Sequence, residues 1–365
     1  MLAAPSASST RPGAAAIRAA TPFQLTSSQT SCLRGGQLIQ ASCPGRAGIV
    51  GNPSDLYGGS VISCSLKQRA TAVLKPADGL MVRSGNLHGE IRGPQDLEQK
   101  GDYLDVTRAV LHHFWDDLPH REFSLECDTE IPAQSGLAGS SALLAALTAC
   151  VLKLLGRDLS LHEIAETVHG IEWSLMRTAC GYQDFYIEIF GGLNFMDFRG
   201  KEWLGRNPDR EPFATVEPLL PRVPQPLPFV LASTGVQRNS GAVHRPLRQR
   251  WEDGEAEVVE AYKRITELAW LGKKALLTRN WAALGACMNE NHEITRNLGG
   301  SHEACDRLIQ AARDAGALGA KLAGAGNGGT IIALTDERER MAERLQAAGA
   351  FRIIFPEPGP GLVVS

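Results

Sequence analysis

The stretch "IPAQSGLAGSSALLAALTAC", Ile131 to Cys150, places Gly136, Gly139, Ser140 and Ser141 within six residues. Upstream, "REFSLECD" alternates Phe123, Leu125 and Cys127 with polar neighbours, the pattern of a strand. Downstream, Leu143, Leu144, Leu147, Val151, Leu154 and Leu155 recur at helical spacing. A strand, a glycine-serine turn and a helix therefore succeed one another. Serine caps orphan N–H groups at a helix start, and one serine with one glycine would be enough for that. Glycine also admits φ > 0 and close approach of another molecule. A helix start whose N–H groups point outward is a site for an anion, most often phosphate. No lysine comes after the glycines, so this is not a Walker A loop, and G-x-S-x-G is absent, which disfavours a hydrolase serine.

A second glycine cluster, "KLAGAGNGGTIIAL", runs from Lys321 to Leu334. It matches G-x-G-x-x-G in form, but it precedes a β-branched apolar run and not a helix, the wrong context for a dinucleotide site. A hairpin turn would explain it as well. The eight cysteines include no C-x-x-C pair, and the nine histidines no H-E-x-x-H. This spacing points to reduced thiols and away from zinc.

The elements that must position these loops are α and β mixed. Strands are expected at "RAGIVGN", "SVISCSLKQRATAVLK", "FVLAST" and Thr330–Leu334. Helices are expected over Asp105–Trp115, Ser160–Met176, Asp253–Thr278, Asn280–Asn297 and Ser301–Ala315, with Ser160 and Glu163 forming a capping box. "CGYQDFYIEIFGGLNFMDF" reads as a turn, a short helix and a strand. Six prolines between Pro212 and Pro228 mark a connection between two domains, 45–215 and 225–365. The chain is long enough at 365 residues for two cores. Residues 1–44 are rich in Ala, Ser, Thr and Gly and have no acidic residue, so a disordered or targeting extension, or a start codon placed too far upstream, is expected there. Charge is nearly balanced, 37 basic against 40 acidic residues, and no apolar run is long enough to span a bilayer. Neither a nucleic-acid nor a membrane partner is expected. The expected compartment is cytoplasmic, or organellar if the extension is a transit peptide.

With "CPGRAGIVGNPSDLYGG" near the start of the globular region, the two glycine loops form an ordered set of three. Together they resemble the motifs of the GHMP kinases. Pro44, Gly45, Arg46, Gly51, Asp55, Gly58 and Gly59 keep the first motif, with "GNPSD" where sugar kinases of the family often carry "GEHTD". The resemblance implies an α+β, two-domain fold, ribosomal-protein-S5-like at the N-terminus and ferredoxin-like at the C-terminus, with the site between the domains. It implies ATP and Mg²⁺ as cofactors, with a small-molecule sugar or sugar acid as acceptor, and a monomer or homodimer. The loop Gly136, Leu137, Ala138, Gly139, Ser140 and Ser141 would hold the nucleotide, helped by Gly324, Gly326 and Gly328. Ser141 and Glu172 would take the metal, Asp184 would act as base on the acceptor, and Arg46 would face the transferring phosphoryl group. Asp55 and Gly58 would meet the substrate.

"VGNPSDLYGGSVIS", "IPAQSGLAGSSA" and "VHRPLRQRWEDGE" resemble the glucuronokinases within that family. This implies the anomeric hydroxyl of glucuronate as acceptor. Recognition of its carboxylate favours an arginine fork, for which Arg177, Arg245, Arg248 and Arg250 are candidates. The alternatives are a kinase for another sugar such as a heptose or galactose, a decarboxylase on the same scaffold, or a non-catalytic sensor. The sensor reading expects damage at Asp184, Glu172 or the glycine loop, and these residues are intact.

Overall fold

The structure, a computed structural model, describes residues 38–118, 120–201, 211–236, 240–324 and 326–365, with only the backbone of 240–245. In chain order the elements begin with β1 (Ile39–Val50), β2 (Ser60–Pro76), β3 (Leu80–Ser84) and β4 (Leu87–Glu90). Then come α1 (Asp105–His113), β5 (Phe123–Thr129), α2 (Gly139–Leu154), α3 (Leu161–Ser174) and α4 (Gln183–Phe190). The segment β6 (Leu193–Asp197), β7 (Thr215–Pro218) and β8 (Phe229–Ser233) leads to α5 (Ser240–Glu252), α6 (Ala256–Leu277), α7 (Trp281–Asn297) and α8 (Glu303–Asp314). The chain closes with β9 (Gly319–Leu322), β10 (Thr330–Leu334), α9 (Arg338–Ala347), β11 (Arg352–Ile354) and β12 (Val363–Val364).

Among the described residues one sheet has eight strands and the other four, so the α+β expectation holds. In the larger, β2 is long enough to pair β5 along its second half and β6 along its first, while β1 runs down its other edge. Among the described residues only β3 and β5 pair in parallel. Helix α2 lies across this sheet and is buried almost all round, from Ser141 to Leu154, because its sequence is apolar on every face. Each leucine it buries contributes about 1.5–3 kcal/mol relative to exposure. Its first turn is therefore held rigidly at one edge of a packed core. Helix α3 starts at the expected capping box, where Glu163 N–H donates to Ser160 Oγ at 3.3 Å and Ser160 N–H to Glu163 Oε2 at 2.8 Å.

The smaller sheet, β11-β8-β10-β9, is antiparallel throughout. Strand alternation divides its side chains between two cores. Val230, Ala232, Ile331 and Ala333 pack on α8 and α9. Phe229, Leu231, Ile332 and Leu334 turn the other way and join the main core with Leu268 and Leu276 of α6 and Leu284 and Met288 of α7. The central helices thus tie the two sheets together.

Three expected boundaries move. Strand β1 starts at Ile39, so part of the expected 1–44 extension is folded, with Ile39, Ala41 and Cys43 facing the core. The rest of that extension lies outside the described residues. The proline-rich connection contains strand β7, which adds to β6 at the sheet edge, where a proline costs no ladder bond. The C-terminus leaves its domain: Val363 and Val364 pair with Ser42 and Ala41 in the larger sheet. Arg69 fastens this return, its Nη1 donating to Pro360 O at 2.8 Å and its Nη2 to Gly361 O at 2.6 Å.

Candidate active site

A cleft of about 650 Å³ opens where β1, the turn before α2, the end of α3 and the start of α4 meet. The glycine-serine turn forms one wall. Ala138 takes the N-cap position of α2 at φ 64° and makes no side-chain cap bond, while Ser140 and Ser141 lie inside the first turn. Serine capping is therefore not what the turn is for. The first-turn N–H groups, which have no intrahelical acceptor, are left at the cleft wall with Gly136, Ala138, Gly139, Ser140 and Ser141. Leu137 points inward and is 1 % exposed, and its carbonyl accepts from Arg46 N–H at 3.1 Å. Gly45 must be glycine for this approach, since a Cβ there would lie 2.7 Å from Leu137 O.

Opposite the turn, Asp184 sits in the first turn of α4. It does not cap that helix; its Oδ1 accepts from Arg46 Nε at 2.7 Å. The Arg46 guanidinium, 4 % exposed, also donates to Gly136 O, so one side chain links Asp184 and the glycine-serine turn. Burial acts to lower the Arg46 pKa, but the charge and hydrogen bond of Asp184, with Glu188 and Asp55, outweigh it and leave it raised. Asp55 belongs to a one-turn helix, Ser54–Tyr57, that ends on Gly58 at φ 72°. It accepts from Gln183 N–H at 3.1 Å and Gln183 Nε2 at 3.0 Å. Burial pushes its pKa up to about 7. The chain at Gly181 passes so close that a Cβ would meet Asp55 Oδ2 at 1.9 Å.

Two more carboxyls surround this pair. Glu172, near the end of α3, lines the cleft, and its buried Oε2 has no hydrogen-bond partner. Burial, then the charge of Asp184, pushes its pKa up to about 8. Glu188, unforeseen from the sequence, is wholly buried one helical turn beyond Asp184. Its Oε1 lies 3.1 Å from Ser141 Oγ, and burial and then the charge of Asp184 push it well above the usual carboxylate range. Its spacing of four residues from Asp184 was the one available signal. Among the residues lining the cleft, Arg46 is the one Lys or Arg facing these carboxyls. Among the described residues no three His, Cys, Asp or Glu side chains cluster as a metal cage. Magnesium needs no such cage, since it takes one or two carboxylates and fills its shell with phosphate and water. The unpartnered oxygen of Glu172 and the hydroxyl of Ser141 are hard donors at the same cleft, so these residues fit that ion.

A family model described as GHMP kinases N terminal domain matches residues 105–192, and one described as GHMP kinases C terminal matches residues 273–350. The chain thus matches both the N-terminal and the C-terminal model of the GHMP kinases, in that order. It is 28% identical over 318 residues to glucuronokinase 1 of Arabidopsis thaliana, covering 82% of this chain and 86% of the plant protein. It is 26% identical to mevalonate kinase of Pyrococcus furiosus, covering 89% of this chain and 98% of that one. The solved structure of Lactococcus lactis galactokinase complexed with galactose superposes with a TM-score of 0.71 at 18% identity, over 90% of this chain and 95% of the galactokinase.

On this kinase scaffold the first two motifs converge and the third stands behind them. Gly324, Gly326 and Gly328 are not among the residues lining the cleft. Their run braces the first motif instead: Asn52 Nδ2 donates to Gly324 O at 3.0 Å, and Gly48 N–H to Ala323 O at 2.8 Å. Thr330 Oγ1 donates to Ser135 O at 2.9 Å and so touches the base of the glycine-serine turn. Gly58 closes the helix turn that carries Asp55 and does not line the cleft either. Cys180 is also one of the lining residues. The arginines separate by environment. Arg177 is exposed, Arg250 is paired with Glu255, and the side chain of Arg245 lies outside the described residues. Arg248 is paired through Nε with Glu252 Oε1 at 2.9 Å, but its Cζ lies 4.7 Å from the Trp173 ring and its buried Nη1 has no partner.

Proposed function

We propose that this kinase transfers the γ-phosphate of ATP to a sugar hydroxyl, with the anomeric hydroxyl of a uronic acid, glucuronate, as acceptor. The observation that carries the reading is the Arg46–Asp184 pair facing the first turn of α2 across one cleft. The N–H groups of Gly139 to Ser141 receive the donor's phosphate oxygens. Leu87, Tyr103, Val106 and Leu143 add an apolar wall suited to the base of a nucleotide. Asp184 orients the acceptor hydroxyl and takes its proton as that oxygen bonds to the γ-phosphorus, while the bond to the β-bridging oxygen breaks and ADP leaves with those electrons. Arg46 keeps Asp184 in place and offsets charge on the transferring group. Ser141 and Glu172 would hold Mg²⁺, which neutralises phosphate charge when bound.

Asp55, buried beside Gln183 and Asp184, is suited to a sugar hydroxyl. A carboxylate on the sugar favours Arg248, whose charge acts on Cys180 at the cleft and whose Nη1 lacks an acceptor. Similarity to glucuronokinase 1 supports the same acceptor. Galactose remains the alternative, supported by the likeness to galactokinase. ATP consumption over a panel of neutral sugars, heptoses and uronic acids tests the assignment, with Arg248→Met in parallel. The expected result is preference for glucuronate and a rise in its KM of about tenfold or more in the variant, the loss of a charge-assisted pair. Equal turnover of glucose, galactose or a heptose by the wild type would remove the uronate and leave the kinase.

A further inference from the structure

We propose that Glu188 is a positioning residue for the phosphate turn, fixing the hydroxyl of Ser141 in the orientation that meets the nucleotide and its cation. The inference rests on the kinase reading above. Helix α4 presents residues four apart on one face, so Asp184 and Glu188 point the same way. Asp184 reaches the cleft and is 28% exposed; Glu188 lies below it with no exposure at all.

The reason for a carboxyl at that depth is not packing. Its neighbours Ile187 and Ile189 fill equivalent buried space with apolar side chains. A carboxyl there carries a desolvation cost, and Glu188 Oε2 finds no hydrogen-bond partner to offset it. Its other oxygen has one side-chain partner, Ser141 Oγ. A serine hydroxyl is a rotor with three staggered positions and a single hydrogen. Here it lies 3.0 Å from Ala138 O and 3.1 Å from Glu188 Oε1, and its single hydrogen can be donated to only one of them. Ala138 is itself held at φ 64°, a strained setting for a residue with a side chain. Glu188 therefore supports the turn from beneath and, with Ala138 O, limits the rotation of an oxygen that must meet phosphate or cation. Fixing it in advance removes an ordering cost at binding.

The test is calorimetric binding of ATP to the full chain, with and without Mg²⁺, for the wild type and for Glu188→Leu, Glu188→Asp and Ser141→Ala. Glu188→Asp keeps the acid and shortens its reach, so it stands in if the leucine variant does not fold. The expected result for either Glu188 variant is a loss of about tenfold in affinity for ATP with Mg²⁺, the size of one lost hydrogen bond. Affinity for ATP alone should move by less than about threefold, and Glu188→Leu should melt no lower than the wild type. Adding Ser141→Ala to Glu188→Leu should cost less than the sum of the two singles, as coupled residues do. Unchanged affinity for ATP with Mg²⁺, equal losses with and without the ion, or strict additivity would each overturn the proposal. A wild type that binds ATP no better with Mg²⁺, and consumes none with any acceptor, would instead remove the kinase reading.

Discussion

The two glycine runs of this chain are alike in composition and opposite in use. Around Gly136–Ser141 the small residues leave a helix start bare at a cleft, with N–H groups unsatisfied by the protein. Around Gly324–Gly329 they let backbones close on one another: a Cβ on Gly326 would sit 1.8 Å from Gly300 O. The element C-terminal to each run makes the difference. A helix leaves its first N–H groups free, whereas a strand such as β10 uses its own in a ladder. Glycine count alone does not separate a ligand loop from a packing loop.

The contrast is tested most strongly opposite the first run. Asp184→Asn should lower kcat by about a thousandfold or more while ATP affinity stays within a few-fold, since in the proposed mechanism the carboxylate acts on the acceptor and not on the nucleotide. Near-wild-type turnover would take Asp184 out of the mechanism. Next in size, Gly181→Ala drives a methyl into Asp55 Oδ2. The KM for the acceptor should rise by about tenfold or more, with that for ATP unchanged. An equal rise in both would mean that Asp55 serves the nucleotide.

The second run should respond in another observable. Gly326→Ala places a side chain at φ +100° against Gly300 O. Stability should fall by about 2–4 kcal/mol in chemical denaturation, with nucleotide affinity retained by the folded fraction. A selective loss of ATP binding at unchanged stability would show instead that this loop reaches the nucleotide, as the resemblance implies.

Much of this arrangement is legible in the sequence where the signal is local. The capping box at Ser160, the buried helix after Ser141, and the strand and turn around them can be read from period and residue type. Asp184 and Glu172 needed the family resemblance, since an acid on a helix is ordinarily a cap or a solvated charge. Glu188 was missed because "FYIEIF" reads as an amphipathic turn with one polar position, and nothing local says that position faces Ser141, 47 residues earlier. The hairpin β3–β4 and strands β9, β11 and β12 went unrecognised for a related reason. They are two to five residues long, too short to show a period, and β11 and β12 are fixed by partners distant in sequence, as β12 is by β1.

The smallest effect concerns how the cleft holds a charge. Asp55 has an ordinary carboxylate value of 3.8 and is pushed up to about 7 in the folded chain, chiefly by burial. Between these values the folded state keeps a proton that the unfolded state has lost. Stability then falls as pH rises through this window and levels off above about 7, where the fold must carry a buried carboxylate. Glu172 and Glu188 are raised too, so the wild-type slope alone mixes several groups. Comparison with Asp55→Asn isolates the one wanted. The substitution also disturbs the two bonds from Gln183, but that cost is largely independent of pH. The stability difference between wild type and variant, measured by urea unfolding from pH 5 to pH 8, should therefore shift in favour of the variant as pH rises. Its slope is at most about 1.4 kcal/mol per pH unit. A difference that is flat or moves the other way would mean that Gln183 and Arg46 outweigh burial. Asp55 would then be a fixed anion at neutral pH, not a carboxyl able to gain or lose a proton beside the acceptor.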